Sequence, residues 1–180
     1  MNTRPIKLNI IQVYAPTTEA ADQEIEEFYE EVERVLQTTK CNEINIIMGD
    51  FNAKIGRGRE NNIVGPFGLG IRNERGDRLV EFCSKYKFTI ANTWSDQPKR
   101  RLYTWKAPGD RTDRVIRNQI DYILINDRYK NMVTKAKTHP GADCGSDHNL
   151  LINSLNLKLK KISKEKLKEW TKKNLETKIR

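Results

Sequence analysis

The chain has 180 residues, enough for one domain with a sizeable core and too few for two. Hydrophobic residues make up 37%, charged residues 32% and aromatic residues 8%; the aromatic content argues against wholesale disorder. No apolar run approaches the roughly 20 residues of a membrane-spanning helix, and Met1-Asn2-Thr3-Arg4-Pro5 has no apolar core of a secretion signal. A nuclear or cytoplasmic protein that is not secreted is therefore expected. Cys41, Cys83 and Cys144 are odd in number and widely spaced, which argues against a disulfide scaffold, a structural zinc site or a disulfide-linked partner. With only His139 and His148 present, a histidine-rich metal site is excluded by counting.

The net charge of +9 is uneven. Residues 158–180 carry ten Lys/Arg against three Glu, a net of +7, which leaves +2 for the remaining 157. A second basic stretch, 97–117, contains Lys99, Arg100, Arg101, Lys106, Arg111, Arg114 and Arg117 against Asp110 and Asp113. Segment 19–33 is the reverse, with eight Asp/Glu and no basic residue. This polarity suits a polyanionic partner approached from one side; solvated charged faces are the plainer alternative.

In chain order, the β-branched run 6–14 reads as a buried strand closed by Pro16. A helix over about 18–38 follows from the spacing of Ile25, Phe28, Tyr29, Val32, Val35 and Leu36, with Thr17 or Thr18 as its cap. Residues 43–49 form a second buried strand, parallel to the first if the two pair directly. The loop 53–73 holds five of the ten glycines, and a loop that long is often functional. A second helix is expected at 74–87, with Leu79, Val80, Cys83 and Tyr86 inward. Strands are expected at 88–93, 101–105, 119–125 and 131–138. A last strand carries Leu151, Leu155, Leu157 and Leu159, and residues 161–180 form a basic helical or frayed tail. Gly68-Leu69-Gly70 lacks the strand and helix of a dinucleotide site, and Arg75-Gly76-Asp77 opens a helix rather than an adhesion loop.

Four polar clusters end or follow apolar strands: Tyr14-Ala15-Pro16, Gly49-Asp50-Phe51-Asn52, Gln119-Ile120-Asp121-Tyr122 and Gly145-Ser146-Asp147-His148-Asn149. Strand ends are where α/β sheets gather their sites. Each cluster alone is most simply a turn or a cap. Asp121 is harder to dismiss, because a carboxylate flanked by Ile120, Tyr122, Ile123 and Leu124 needs a partner. His148 is available, and an Asp–His pair would orient the imidazole and stabilise its protonated form.

The ordered pattern Y-A-P, G-D-F-N, Q-I-D-Y-I-L and S-D-H resembles the endonuclease/exonuclease/phosphatase family. That group includes apurinic endonucleases, DNase I-like nucleases and the endonuclease domains of LINE-type retrotransposons. The segments 67–76, 100–105 and 140–148 are most similar to RTE-clade retrotransposon endonucleases and the craniofacial development protein 2-like sequences. The likeness spans about residues 8–160.

The resemblance implies an α/β protein with a four-layer α/β/β/α sandwich of the DNase I-like type. It implies Mg²⁺-dependent phosphodiester hydrolysis, with Mn²⁺ as a substitute, acting on DNA, and a reverse transcriptase domain in the parent element. By the same resemblance Asp50 orients or deprotonates the attacking water, and Asn52 bonds a phosphate oxygen. Tyr14 lies against the scissile phosphate, Asp121 holds His148, His148 stabilises the phosphorane-like state, and Asp147 helps to ligate the metal. These residue types suit a reaction that needs an activated water and charge neutralisation. Lys99, Arg100, Arg101, Tyr103 and Trp105 suit nucleic acid, since aromatics beside arginine can stack bases; core packing is the plainer role for Trp105.

Two departures stand out. The family's opening strands carry an Asn and a metal-binding Glu, whereas the first 13 residues here contain Asn2 and Asn9 and no Glu, and Thr17 replaces the frequent Asn after Tyr-x-Pro. The expectation is an incomplete domain that lacks its opening strands and has weak or absent catalysis. A non-enzymatic nucleic-acid-binding remnant and a phosphatase of the same fold are the alternatives.

Overall fold

The computed structural model describes residues 7–40, 42–142 and 145–157. The basic tail, the outermost part of the expected last strand, Cys41 and Cys144 lie outside them. Cys83 is a buried free thiol. Among the described residues no helix is long and apolar enough to cross a membrane.

A four-stranded sheet is the centre of the molecule. Strand β1 (Leu8–Tyr14) pairs in parallel with β2 (Ile44–Asp50), across helix α1 (Asp22–Gln37). Helix α2 (Glu74–Tyr86) leads into the short β3 (Phe88–Ile90). The two-residue strands β4 (Trp105–Lys106) and β5 (Arg117–Asn118) form an antiparallel ribbon. Strand β6 (Asp121–Asn126) runs antiparallel between β2 and β3, giving the order β1-β2-β6-β3. Strands β7 (Val133–His139) and β8 (Leu150–Leu155) make a separate antiparallel pair.

The period-two alternation of each strand sorts its side chains onto two faces. One face offers Ile47, Tyr122, Leu124, Phe88 and Ile90 to Ile25, Tyr29, Val32 and Leu36 of α1 and to Leu79, Val80, Phe82 and Cys83 of α2. The other offers Leu8, Ile44, Ile46, Ile123 and Ile125 to Val133 of β7 and to Leu151 and Leu155 of β8. The described layers are thus helices, sheet and a second, two-stranded sheet. Ile47 is fully buried, so its side chain alone contributes roughly 1.5–3 kcal/mol by leaving water.

Three local expectations change. Helix α1 begins later than expected: the chain first turns with Ala20 N–H on the Thr17 carbonyl, and Ala21 becomes the cap, its N–H bonded by Glu24 at 3.2 Å. The expected strand 101–105 shrinks to its last residue: Arg101 ends a 3₁₀ turn, Lys99–Arg101, residues 102–104 belong to no strand, and only Trp105, with Lys106, finds a strand partner. The expected strand 88–93 stops at Ile90, where Ala91–Trp94 coils into another 3₁₀ turn and Asn92 caps the bared edge of β6.

Candidate active site

Asp50 and Asp121 sit directly opposite each other on β2 and β6, and Tyr14 sits opposite Asp50 on β1. All three share the face that β7 and β8 cover elsewhere, and they line one end of the sheet. Gly49 makes this close approach possible, because any side chain there would collide with the Val13 backbone. Main-chain bonds then stitch the clusters together. Ala15 N–H donates to the Asp50 carbonyl at 2.8 Å, and Phe51 N–H to the Ile120 carbonyl at 3.0 Å.

Asp50 is 8% exposed, and its Oδ1 accepts the Asn52 N–H at 2.8 Å. The turn so formed holds Asn52 at φ 46°, a left-handed conformation that asparagine tolerates. The Asn52 amide donates one hydrogen to the Ala15 carbonyl at 2.8 Å; an amide nitrogen carries a second. The partner sought for Asp121 is present. His148 Nδ1 lies 3.0 Å from Asp121 Oδ2, and His148 Nε2 lies 3.9 Å from Asp50 Oδ2. One imidazole therefore bridges two carboxylates from neighbouring strands. Tyr14 is 71% exposed at the rim.

Burial raises the pKa of Asp50, opposed by the Asn52 N–H and reinforced by the nearby Asp121 and Asp147 charges. Burial also raises that of Asp121, opposed by hydrogen bonding from Thr104 and by His148. Asp147 is held below its ordinary value, first by the Trp105 indole N–H at 2.8 Å.

Two supporting residues have no signal in the sequence. Thr104 is fully buried, and its hydroxyl oxygen accepts the N–H groups of Ile120 at 2.9 Å and Asp121 at 3.0 Å. Asn92 donates to the Asp121 carbonyl at 3.1 Å and accepts the Ile123 N–H at 3.2 Å. Both were invisible because they bind backbone far along the chain; a small polar residue beside an apolar run was the only cue.

Lys99 and Arg100 are exposed and Arg101 is half-buried on the 3₁₀ turn. Tyr103 is 9% exposed, with the Arg117 guanidinium 4.9 Å from its ring centre, so the ring has little face open to a base. Arg117 in turn grips Asp110 at 2.8 Å, closing the loop between β4 and β5. Trp105 is half-buried and serves Asp147. The acidic run is partly spent within the fold: Arg75, Arg78 and Lys85 of α2 pair with Asp22, Glu26 and Glu33. Gly68, from the discarded dinucleotide motif, lets its loop close on the Gly56 carbonyl.

Among the described residues, no group of three or more His, Cys, Asp or Glu is gathered in metal-holding geometry. The donor chemistry still fits a hard cation. Two carboxylates flank one imidazole with Asp147 nearby, and Asp121 and Asp147 help to keep the pKa of Asp50 high. That surplus of negative charge favours Mg²⁺, which is commonly held by one or two carboxylates while water and substrate phosphate complete its shell. Asp50 and Asp147 are the candidate ligands.

The family model described as endonuclease-reverse transcriptase matches residues 8–152. Craniofacial development protein 2 of Bos taurus is 49% identical over 161 residues, covering 89% of this chain and 26% of that protein. The chain thus spans about a quarter of that relative's length. Among solved structures, the endonuclease domain of TRAS1, a telomere-specific non-LTR retrotransposon, superposes with a TM-score of 0.60 at 16% identity, covering 88% of this chain and 62% of that one. A 3′ phosphatase from Neisseria bound to a product DNA hairpin gives 0.61 at 16% identity, with 82% and 61% covered. The fold these share is the DNase I-like one.

Proposed function

This chain belongs to the endonuclease-reverse transcriptase family, and from that premise we propose that its cleft hydrolyses phosphodiester bonds in DNA. The observation that carries the proposal is the imidazole of His148 bridging Asp121 and Asp50 at the end of the sheet. Asp121 anchors Nδ1, which leaves Nε2 directed toward Asp50 and the cleft. A protonated His148 then stabilises the charge that develops on the phosphorane-like state. Asp50, when ionised, takes up the proton of the attacking water. The second hydrogen of the Asn52 amide bonds a phosphate oxygen, and Tyr14 at the rim contacts the scissile group. A bound Mg²⁺, or Mn²⁺ in its place, would neutralise phosphate charge, with Asp50 and Asp147 as its protein ligands.

The exposed Lys99 and Arg100 and the β4–β5 ribbon supply the phosphate-backbone contacts, and such binding weakens as salt rises. The parent element is a non-LTR retrotransposon in which a reverse transcriptase accompanies the endonuclease.

The test is nicking of supercoiled plasmid in Mg²⁺ and in EDTA, with Asp50→Ala and His148→Ala as controls. Nicking that needs Mg²⁺ and is lost in both variants supports the reading. No nicking by a folded chain that still binds DNA in a salt-sensitive way supports the second reading, a nucleic-acid-binding remnant built on the basic stretch 97–117.

A further inference from the structure

Trp105 neither stacks in the open nor simply fills the core. Its indole N–H donates to Asp147 Oδ2 at 2.8 Å. The backbone repeats the link. Lys106 N–H donates to the Asp147 carbonyl at 3.0 Å, Asn149 N–H donates to the Thr104 carbonyl at 2.7 Å, and Trp105 faces His148 in an antiparallel bridge. One edge of β4 thus grips the Ser-Asp-His loop while the other pairs with β5.

Asp147 is exposed and follows a turn in which Gly145 has φ 62°. A solvated carboxylate on such a turn samples several rotamers unless a donor fixes it. Indole nitrogen is a donor only, so it can hold one carboxylate oxygen and leave the other for a cation. The Asp147 N–H and the Ser146 hydroxyl are lesser donors to the same carboxylate. Phenylalanine keeps the ring and loses the N–H.

We propose that Trp105 is a positioning residue for divalent-cation binding, its indole N–H fixing one oxygen of Asp147 so that the other is presented to the ion. The inference rests on the metal-dependent reading above and adds a residue to it. It also separates two roles that a tryptophan in a basic, aromatic segment can play. A stacking platform affects DNA affinity with or without metal, whereas a positioning residue affects metal affinity with or without DNA.

The experiment is Mn²⁺ titration of the full chain by calorimetry without DNA, for wild type, Trp105→Phe, Asp147→Asn and the double variant. Trp105→Phe is expected to weaken Mn²⁺ binding about tenfold, the usual scale for losing a group that orients a ligand. The double variant is expected to bind no worse than Asp147→Asn alone. In EDTA, DNA affinity of Trp105→Ala stays within about twofold of wild type, whereas loss of a stacking platform costs about fivefold or more. Unchanged Mn²⁺ affinity in Trp105→Phe, with weakened DNA binding in Trp105→Ala, would overturn the proposal. A wild-type chain that binds no Mn²⁺ would remove the metal reading itself, and this inference with it. Should Trp105→Phe fail to fold, Trp94→Phe combined with Trp170→Phe leaves Trp105 as the sole indole. Its fluorescence should then be quenched by paramagnetic Mn²⁺ and no longer quenched once Asp147→Asn is added; an unquenched Trp105 contradicts the proposal.

Discussion

The two ends of the central sheet both bury polar side chains, and they handle them in opposite ways. At the end away from the cleft, Asn9 donates to Glu43 at 2.8 Å and to Asn45 at 2.7 Å, and Asn45 donates to Thr39 at 3.0 Å. The Asn126 side-chain Oδ1 accepts the Asn45 N–H, and Lys7 lies 3.6 Å from Glu43. Every group there has a neutral or opposite partner, and the Asn9 hydrogen bond lowers the pKa of Glu43. At the cleft end, Asp50 and Asp121 share one imidazole with Asp147 nearby, and the pKa values of Asp50 and Asp121 are raised. Complete pairing marks a structural network. Surplus like charge, kept at the cost of stability, marks a different kind of place, and the proposed hydrolytic function is its explanation.

The largest expected effect is at the His148 anchor. Asp121→Asn should lower plasmid nicking by about a hundredfold or more, the scale of a mispositioned acid–base group, with little change in melting temperature. Comparable nicking by Asp121→Asn would erase the distinction between the two ends.

Next comes Thr104→Val, which strands the N–H groups of Ile120 and Asp121. It should cost about 2–4 kcal/mol in urea unfolding, since each buried unsatisfied donor costs roughly 1–3 kcal/mol. Thr104→Ser should recover most of that loss. At the far end, Asn45→Ala should cost about 1–2 kcal/mol in the same measurement and leave nicking unchanged.

The smallest effect is in pH. A carboxylate whose pKa is raised by folding favours the folded state at low pH and loses that advantage as pH rises through its folded pKa. Asp50 is such a group, raised from an ordinary value of 3.8. Asp50→Asn should therefore melt about 2–4 °C higher than wild type at pH 7, the gain shrinking as pH falls toward 4. Glu43 has the opposite sign, lowered from 4.5. Glu43→Gln should melt lower at pH 7, and that deficit should vanish as pH falls below its folded pKa. Parallel pH profiles for the two variants would contradict the comparison.

Much of this was legible in the sequence because it depends on local pattern. The apolar runs of β1 and β2 and the helical spacing of Ile25, Tyr29, Val32 and Leu36 fell where expected. A buried Asp121 demanded a partner, and His148 supplies it. The supports were not legible. Thr104 and Asn92 act on backbone groups 16 to 31 residues away, which no periodicity announces. The start of α1 was misplaced because Thr17 spends its carbonyl on a turn, leaving the reach of Glu24 to cap the helix. Tyr103 read as an exposed aromatic beside arginine, yet Arg117 covers its ring, an effect of β-ribbon register rather than of composition.

The most direct measurement is Mg²⁺-dependent nicking of supercoiled plasmid by wild type, His148→Ala and Glu43→Gln side by side. Nicking that is abolished in His148→Ala, retained in Glu43→Gln and absent in EDTA is the expected result. Equal nicking by all three proteins, or nicking that survives EDTA, would contradict a hydrolytic site at the His148 end of the sheet.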